Sequence, residues 1–177
     1  EDPLYQDRYL PRKFKVGIAI PPNNDIDVFG NDLGLIAIIE NNEFKGFNVA
    51  IGGGMSSTHG NAATYPRLAT VIGFVSGEEK IIKTIYEIVT IQRDYGNRSD
   101  RSLARLKYTV DRLGTEWFRE EIARRTGFPL EKERPFEFVD RKDYYGWFQN
   151  AEGLWYYTPF IENGRIVDHE QAPIKTA

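Results

Sequence analysis

The chain has 177 residues and a formal net charge of −3. That length can bury the core of one domain, or of one domain and part of another, and that charge excludes general nucleic-acid binding. There is no cysteine, which excludes disulfides, a thiol nucleophile and any thiolate-held zinc or iron–sulfur centre made from these side chains alone. No apolar stretch approaches a membrane span and no signal or transit peptide is visible, so a cytoplasmic protein without membrane contact is expected. Because position 1 is Glu rather than Met, the chain is expected to be a segment of a longer protein.

Residues 1–11 read as an extended lead-in. Strands are expected at about 12–20, 34–40 and 43–51, the last two joined at Asn41-Asn42, a hairpin turn pair. Pro21-Pro22-Asn23-Asn24-Asp25 cannot continue a strand and reads as a turn. After Gly52-Gly53-Gly54 a polar loop runs through Thr64 to Tyr65-Pro66. Ser76 with Glu79 has capping-box spacing, and Ile81, Ile85 and Ile88 then recur on a helical face. A second helix is expected from about Asp100 to Leu113, stopped by Gly114. A third is capped by Thr115 and ends at Arg124-Arg125 before Gly127. Past Pro135 the pattern returns to strands, with a hairpin expected at Asn163-Gly164, between Phe160–Glu162 and Arg165–Val167.

Chemistry can reside at several places. In a strand, Lys13 and Lys15 share one face and Phe14 points to the other. Two ammonium groups about 6–7 Å apart repel unless water or an anion lies between them. The glycine triplet allows close backbone approach to a flat or bulky group, or makes a tight bend. It fits neither a P-loop nor the dinucleotide fingerprint, since no Gly-Lys-Ser/Thr and no helix follow it. Arg98, Arg101 and Arg105 lie close together in a stretch, Arg93 to Lys107, whose only acids are Asp94 and Asp100. Arginine suits carboxylates held through two hydrogen bonds, and a solvated helix face is the plainer alternative. His59 and His169 are the only histidines. Neither has companions at metal-ligand spacing, so no metal site is expected from these side chains. A large, flat, multiply anionic ligand would satisfy the lysines, the glycines and the arginines together.

At these residues the chain resembles the nitrite/sulfite reductase family, and within it the haemoprotein (beta) subunits of assimilatory sulfite reductase. The matching residues are Tyr9 to Lys15, Asn24 to Asp27 with Asn31-Asp32, Gly46-Phe47-Asn48, Gly52 to Met55 with His59, and Gln92-Arg93. Gly96-Asn97-Arg98, Asp100-Arg101, Lys107-Tyr108 and Phe160 to Arg165 complete the series. The resemblance covers nearly the whole chain and a central portion of such proteins.

It implies an α+β fold, a mixed sheet with covering helices. Residues 1–134 would form the sirohaem-binding domain, and residues 135–177 a linker and the start of a second, ferredoxin-like half-domain. The implied activity is the six-electron reduction of sulfite to sulfide at sirohaem coupled to a 4Fe-4S cluster, with electrons from an NADPH-flavoprotein subunit or ferredoxin. Lys13 and Lys15 correspond to the family's substrate-anion lysines. Arg12, Gly52, Gly53, Gly54, His59, Gln92, Asn97, Arg98 and Arg101 are the implied cofactor contacts. Nitrite reductases of the group resemble Arg-Lys-Trp-Asn where this chain has Arg12-Lys13-Phe14-Lys15, so sulfite is favoured over nitrite. The family's cluster cysteines are missing here. The chain alone is therefore expected to be inactive and to bind neither cofactor. The alternatives are a nitrite reductase of the same fold, or a catalytically silent structural or cofactor-binding half-repeat.

Overall fold

The computed structural model describes residues 2–5, 7–164, 166–169, 172, 173 and 175. They form two compact units, residues 1–141 and 142–177. The first is an α+β unit built on a sheet of β1 (Val16–Ala19), β2 (Leu33–Glu40), β3 (Glu43–Ile51) and β4 (Thr70–Val75) in that spatial order. β1 runs parallel to β2, whereas β2–β3 and β3–β4 are antiparallel. Asn41 and Asn42 both take the left-handed conformation, with φ of 55° and 61°, which the tight β2–β3 turn requires.

Alternation along the strands divides the core. Leu33 and Leu35 of β2, with Val49 and Ile51 of β3, face the helices and meet Ile88, Ile91, Val110, Phe118 and Ile122. Ile36 turns to the other side, where Ala19 and Val28 are covered by Phe29, Phe136 and Phe138. Because Phe136 and Phe138 close this second cluster, the first unit continues to Arg141. β4 is an addition to the expected strands, and its residues, Thr70–Val75, are rich in β-branched and aromatic types.

The helices are α1 (Glu78–Tyr95), α2 (Leu106–Leu113) and α3 (Thr115–Thr126). The expected capping box does not form. Gly77 is the N-cap of α1, no side chain caps it, and the carbonyl of Gly77 accepts from Ile81 N–H at 2.9 Å. The helix expected from Asp100 starts later. A 3-10 turn, Arg101–Leu103, comes first, and the Asp100 carboxylate accepts from the backbone of Ser102. This local bond competes with continuous helix, so Arg101 and Arg105 do not share one helix. Thr115 does not cap α3; Gly114 precedes it as N-cap without a side-chain bond.

The second unit contains β5 (Gly146–Gln149) paired antiparallel with β6 (Trp155–Thr158), and the short pair β7 (Asp168–His169) and β8 (Ala172–Pro173). The hairpin expected at Asn163-Gly164 is not found. Glu162–Gly164 is a 3-10 turn, and Arg165 lies outside the described residues. The β5–β6 hairpin closes through Asn150, whose carboxamide oxygen accepts from the backbones of Glu152 and Leu154. No helix among the described residues is long and apolar enough to cross a membrane.

Candidate functional site

Residues 13–15 lead into β1, and the strand alternation already holds there. Phe14 packs on the main core, while Lys13 and Lys15 are exposed. The backbone of this segment is tied to the start of β2. Lys15 N–H donates to Asp32 Oδ2 at 2.9 Å, and Leu33 N–H donates to the Lys15 carbonyl at 3.0 Å.

Two cavities flank the segment. One, of about 260 Å³, is lined by Arg12, Lys13, Ser56, Thr58, Arg101 and Arg105, with Lys107 and Tyr108 behind them. The other, of about 330 Å³, is lined by Lys13, Lys15, Asp27, Asn31, Ser56 and Arg105. Lys13, Ser56 and Arg105 belong to both.

Not all of this positive charge is available to a ligand. Arg105 grips Asp32 through Nε–Oδ1 at 2.9 Å and Nη2–Oδ2 at 2.8 Å, with the Asp32 side chain fully buried. Lys107 is 1% exposed. Its ammonium donates to the carbonyls of Gly54 at 3.0 Å, Ser56 at 2.8 Å and Tyr65, which uses its whole donor set. Burial, reinforced by neighbouring Arg105, holds the Lys107 ammonium below the usual lysine range. Arg12, Lys13, Lys15 and Arg101 have no acidic partner among the described residues. A unit anion about 4 Å from one such cation gains roughly 4 kcal/mol at an effective dielectric constant near 20. Cations in this arrangement can attract an anion, and the hydroxyls of Ser56, Thr58 and Ser102 line the same cavity.

The structure thus brings Arg12, Lys13, Lys15 and Arg101 together, and places the other expected residues elsewhere. The glycine triplet is buried, and the chain itself fills much of the room it leaves. A Cβ at Gly53 would lie 2.2 Å from the Phe29 carbonyl oxygen and 2.4 Å from that of Asn31, and one at Gly54 would lie 3.1 Å from the Arg105 guanidinium. A Cβ at Gly52 would lie 2.9 Å from Arg67. Gln92 has both ends of its amide engaged internally, donating to the Ala104 carbonyl at 2.7 Å and accepting from Thr109 at 2.9 Å. Asn97 accepts from the backbones of Ser99 and Asp100 and so braces a loop. Arg98 donates to the carbonyls of Tyr9 at 2.6 Å and Arg93 at 2.8 Å, tying the lead-in to the end of α1. His59 is exposed and lines neither cavity.

Asp32 and the buried Lys107 were not read as site residues from sequence. One signal for Asp32 was available: it abuts the apolar run Leu33–Ile39, and a charge at the mouth of a buried strand needs a cation. Nothing in the pattern says which arginine that is. Among the described residues no group of His, Cys, Asp or Glu could hold a metal ion.

A family model described as the nitrite and sulphite reductase 4Fe-4S domain matches residues 1–130. The chain is 58% identical over 177 residues to a protein of Leptospira biflexa named sulfite reductase [NADPH] hemoprotein beta-component, all of this chain matching 32% of that protein. It is 55% identical over 175 residues to the protein of the same name from Lysinibacillus sphaericus, covering 99% of this chain and 30% of the relative. The chain therefore spans about a third of the length of the curated relatives it matches. A solved structure, the NirA protein of Mycobacterium tuberculosis, superposes with a TM-score of 0.68 at 27% identity over 83% of this chain and 26% of that one.

Proposed function

Because this chain belongs to the nitrite and sulphite reductase 4Fe-4S domain family, we propose that it supplies the anion-binding wall of a sulfite reductase haemoprotein. Two-thirds of the relatives' length lies outside the match, so the whole reaction is assigned to the longer protein. The observation that carries this reading is the exposed Lys13/Lys15 pair, one face of an extended segment beside two cavities and free of any acidic partner among the described residues.

Sulfite is a compact oxyanion. Two ammonium groups on one side of it offset its charge and can pass protons to an oxygen that leaves as water, which is electrostatic and general-acid work. The second lysine, at position 15, favours a more highly charged anion and hence sulfite over nitrite.

Sirohaem carries many carboxylates on a flat ring, and the donor set here fits such a group. Arg12 and Arg101, with the hydroxyls of Ser56, Thr58 and Ser102, would hold carboxylates, leaving Lys13 and Lys15 for the substrate. When bound, it would supply the electron path to the substrate sulfur. A 4Fe-4S cluster does not fit these side chains, since there is no cysteine, and its ligands are assigned to the rest of the protein. The cofactor-binding part is assigned to the first compact unit, and the start of a ferredoxin-like half-domain to the residues after it. The names of the relatives carry NADPH and a beta-component, which supports NADPH as the electron source through a partner subunit, and the location is assigned to the cytoplasm.

The test is turnover of the full-length protein with a reduced dye, sulfite against nitrite. A kcat/KM larger for sulfite is expected. A clear preference for nitrite would replace the substrate and leave the anion site standing.

A further inference from the structure

Asp32 touches neither cavity, yet it connects both to the lysine segment. Its Oδ1 accepts from Arg105 Nε at 2.9 Å, and its Oδ2 accepts from Arg105 Nη2 at 2.8 Å and from Lys15 N–H at 2.9 Å. Its carbonyl accepts from Gly52 N–H at 2.8 Å. One buried carboxylate therefore fixes two things together, the backbone at Lys15 and the guanidinium shared by both cavities, while the main chain of the same residue holds the start of the glycine triplet. Arg105 extends the tie, donating to the Gly53 carbonyl at 3.3 Å.

A side chain used only to stabilise the sheet would not need this set of partners. The Lys15–Leu33 backbone bond already registers β1 on β2, and a buried ion pair is seldom a net gain over apolar packing because both charges lose water. What the pair adds is orientation. The Lys15 N–H bond sets the rotation of the extended backbone, and this rotation decides whether Lys13 and Lys15 project toward the cavities or away from them. A misplacement of about 1 Å at a reacting group can cost about a hundredfold in rate.

We propose that Asp32, locked by Arg105, is the positioning residue of Lys15, whose N–H it holds, acting on sulfite through that lysine and not by contact. The assignment rests on the sulfite-reductase reading of that lysine.

The experiment uses the full-length holoprotein, with Asp32→Asn and Arg105→Lys measured alone and each combined with Lys15→Ala. Asp32→Asn keeps the size and an acceptor for Lys15 N–H but removes the charge facing Arg105. The expected result is a KM for sulfite raised about tenfold in Asp32→Asn and less in Arg105→Lys, with the sirohaem absorption spectrum and content unchanged. In the Lys15→Ala background each substitution is expected to add less than about twofold, because a residue that acts through Lys15 has nothing left to position. Effects that multiply fully in the double variants overturn the proposal, as does an unchanged KM in both single variants. Failure of both to accumulate as folded holoprotein also overturns it, since the pair is then a staple of the fold. The two readings fail separately: if Lys13→Ala and Lys15→Ala turn over sulfite like the parent, the lysine assignment falls; if they are impaired and Asp32→Asn is not, only the positioning role falls.

Discussion

Two regions of the first unit are rich in arginine, and they use it in opposite ways. Between α1 and α3 the charges are matched within the chain. Arg125 reaches Asp94 at 2.9 Å and Glu121 at 2.7 Å, and Arg93 takes the other side of Asp94 at 2.7 Å. Around the cavities Arg105 alone is ion-paired among the described residues, while Arg12, Lys13, Lys15 and Arg101 are not, although Asp27 lines the second cavity with the two lysines. Matched charges fix one helix on another. Unmatched like charges oppose folding by self-repulsion, a cost that salt screens and that a bound anion would offset. The difference separates arginines matched within the fold from cations that no acid among the described residues pairs, the ones proposed to meet a ligand.

The matched region can be broken most severely at Arg125, whose side chain is 13% exposed. Arg125→Met removes the cation shared by Glu121 and Asp94, but each acid keeps another arginine, Arg124 and Arg93 respectively, so the loss is that of charged hydrogen bonds, about 1.5–3 kcal/mol. Urea unfolding of the chain is expected to show that loss. A change below about 1 kcal/mol would mean that the network contributes as little as an exposed ion pair.

The unmatched region is expected to show the reverse pattern. Lys15→Ala, and separately Lys13→Ala, should lower kcat/KM for sulfite about a hundredfold in the full-length protein, about 2.7 kcal/mol of transition-state stabilisation. Stability should move by less than about 0.5 kcal/mol, as at other exposed positions. Steady-state rates and denaturation midpoints on the same preparations separate the two quantities.

How far this contrast could be read from sequence depends on the range of the contacts. The lysine face was readable because strand alternation is local: Phe14 finds the core and Lys13 and Lys15 do not. The Asn41-Asn42 turn and the C-terminal stop of α3 at Gly127 were readable for the same reason. The arginines were not. Arg98, Arg101 and Arg105 lie within eight positions of one another, yet they are given to the lead-in, the cavity and Asp32 respectively. The partners of Arg98 at Tyr9 and of Arg105 at Asp32 are distant in sequence, and only the folded chain brings them near. Gln92 shows the same limit, since a polar residue on a helix can face a ligand or cap an internal carbonyl, and here it bonds Ala104 and Thr109. β4 is harder to read for another reason, because Thr70–Val75 is a short apolar run without alternation, which periodicity alone does not separate from other buried segments.

Acid sharpens the comparison further. Hydrogen bonds from Arg124, and then Arg125, outweigh burial and hold the Glu121 carboxyl down at about 2. Burial pushes Asp94 up, but Arg93 and Arg125 outweigh it and leave that carboxyl below its usual range. A carboxyl with a depressed folded pKa contributes stability that is fully present above its unfolded value, near 4.5 for Glu, and that is lost as pH falls through the folded value. Unfolding free energy should therefore decline as pH falls from about 5 toward about 2. Glu121→Gln should flatten part of that decline and cost about 1–3 kcal/mol at neutral pH. An unchanged pH profile in Glu121→Gln would remove Glu121 from the network's contribution.

The smallest effect is expected at Arg101, and it tests the distinction most directly. Arg101 is exposed, lines the first cavity and has no acid among the described residues. Removing its charge relieves repulsion from neighbouring cations and breaks no bond, so Arg101→Gln should leave stability within about 0.5 kcal/mol, on the stabilising side. The gain should shrink as salt rises, since screening at about 0.15 M already limits interactions beyond roughly 8 Å. Denaturant midpoints of parent and variant at low and high salt would show it. A loss above about 1 kcal/mol, independent of salt, would place Arg101 with the matched arginines of α1 and α3 and dissolve the division between the two regions.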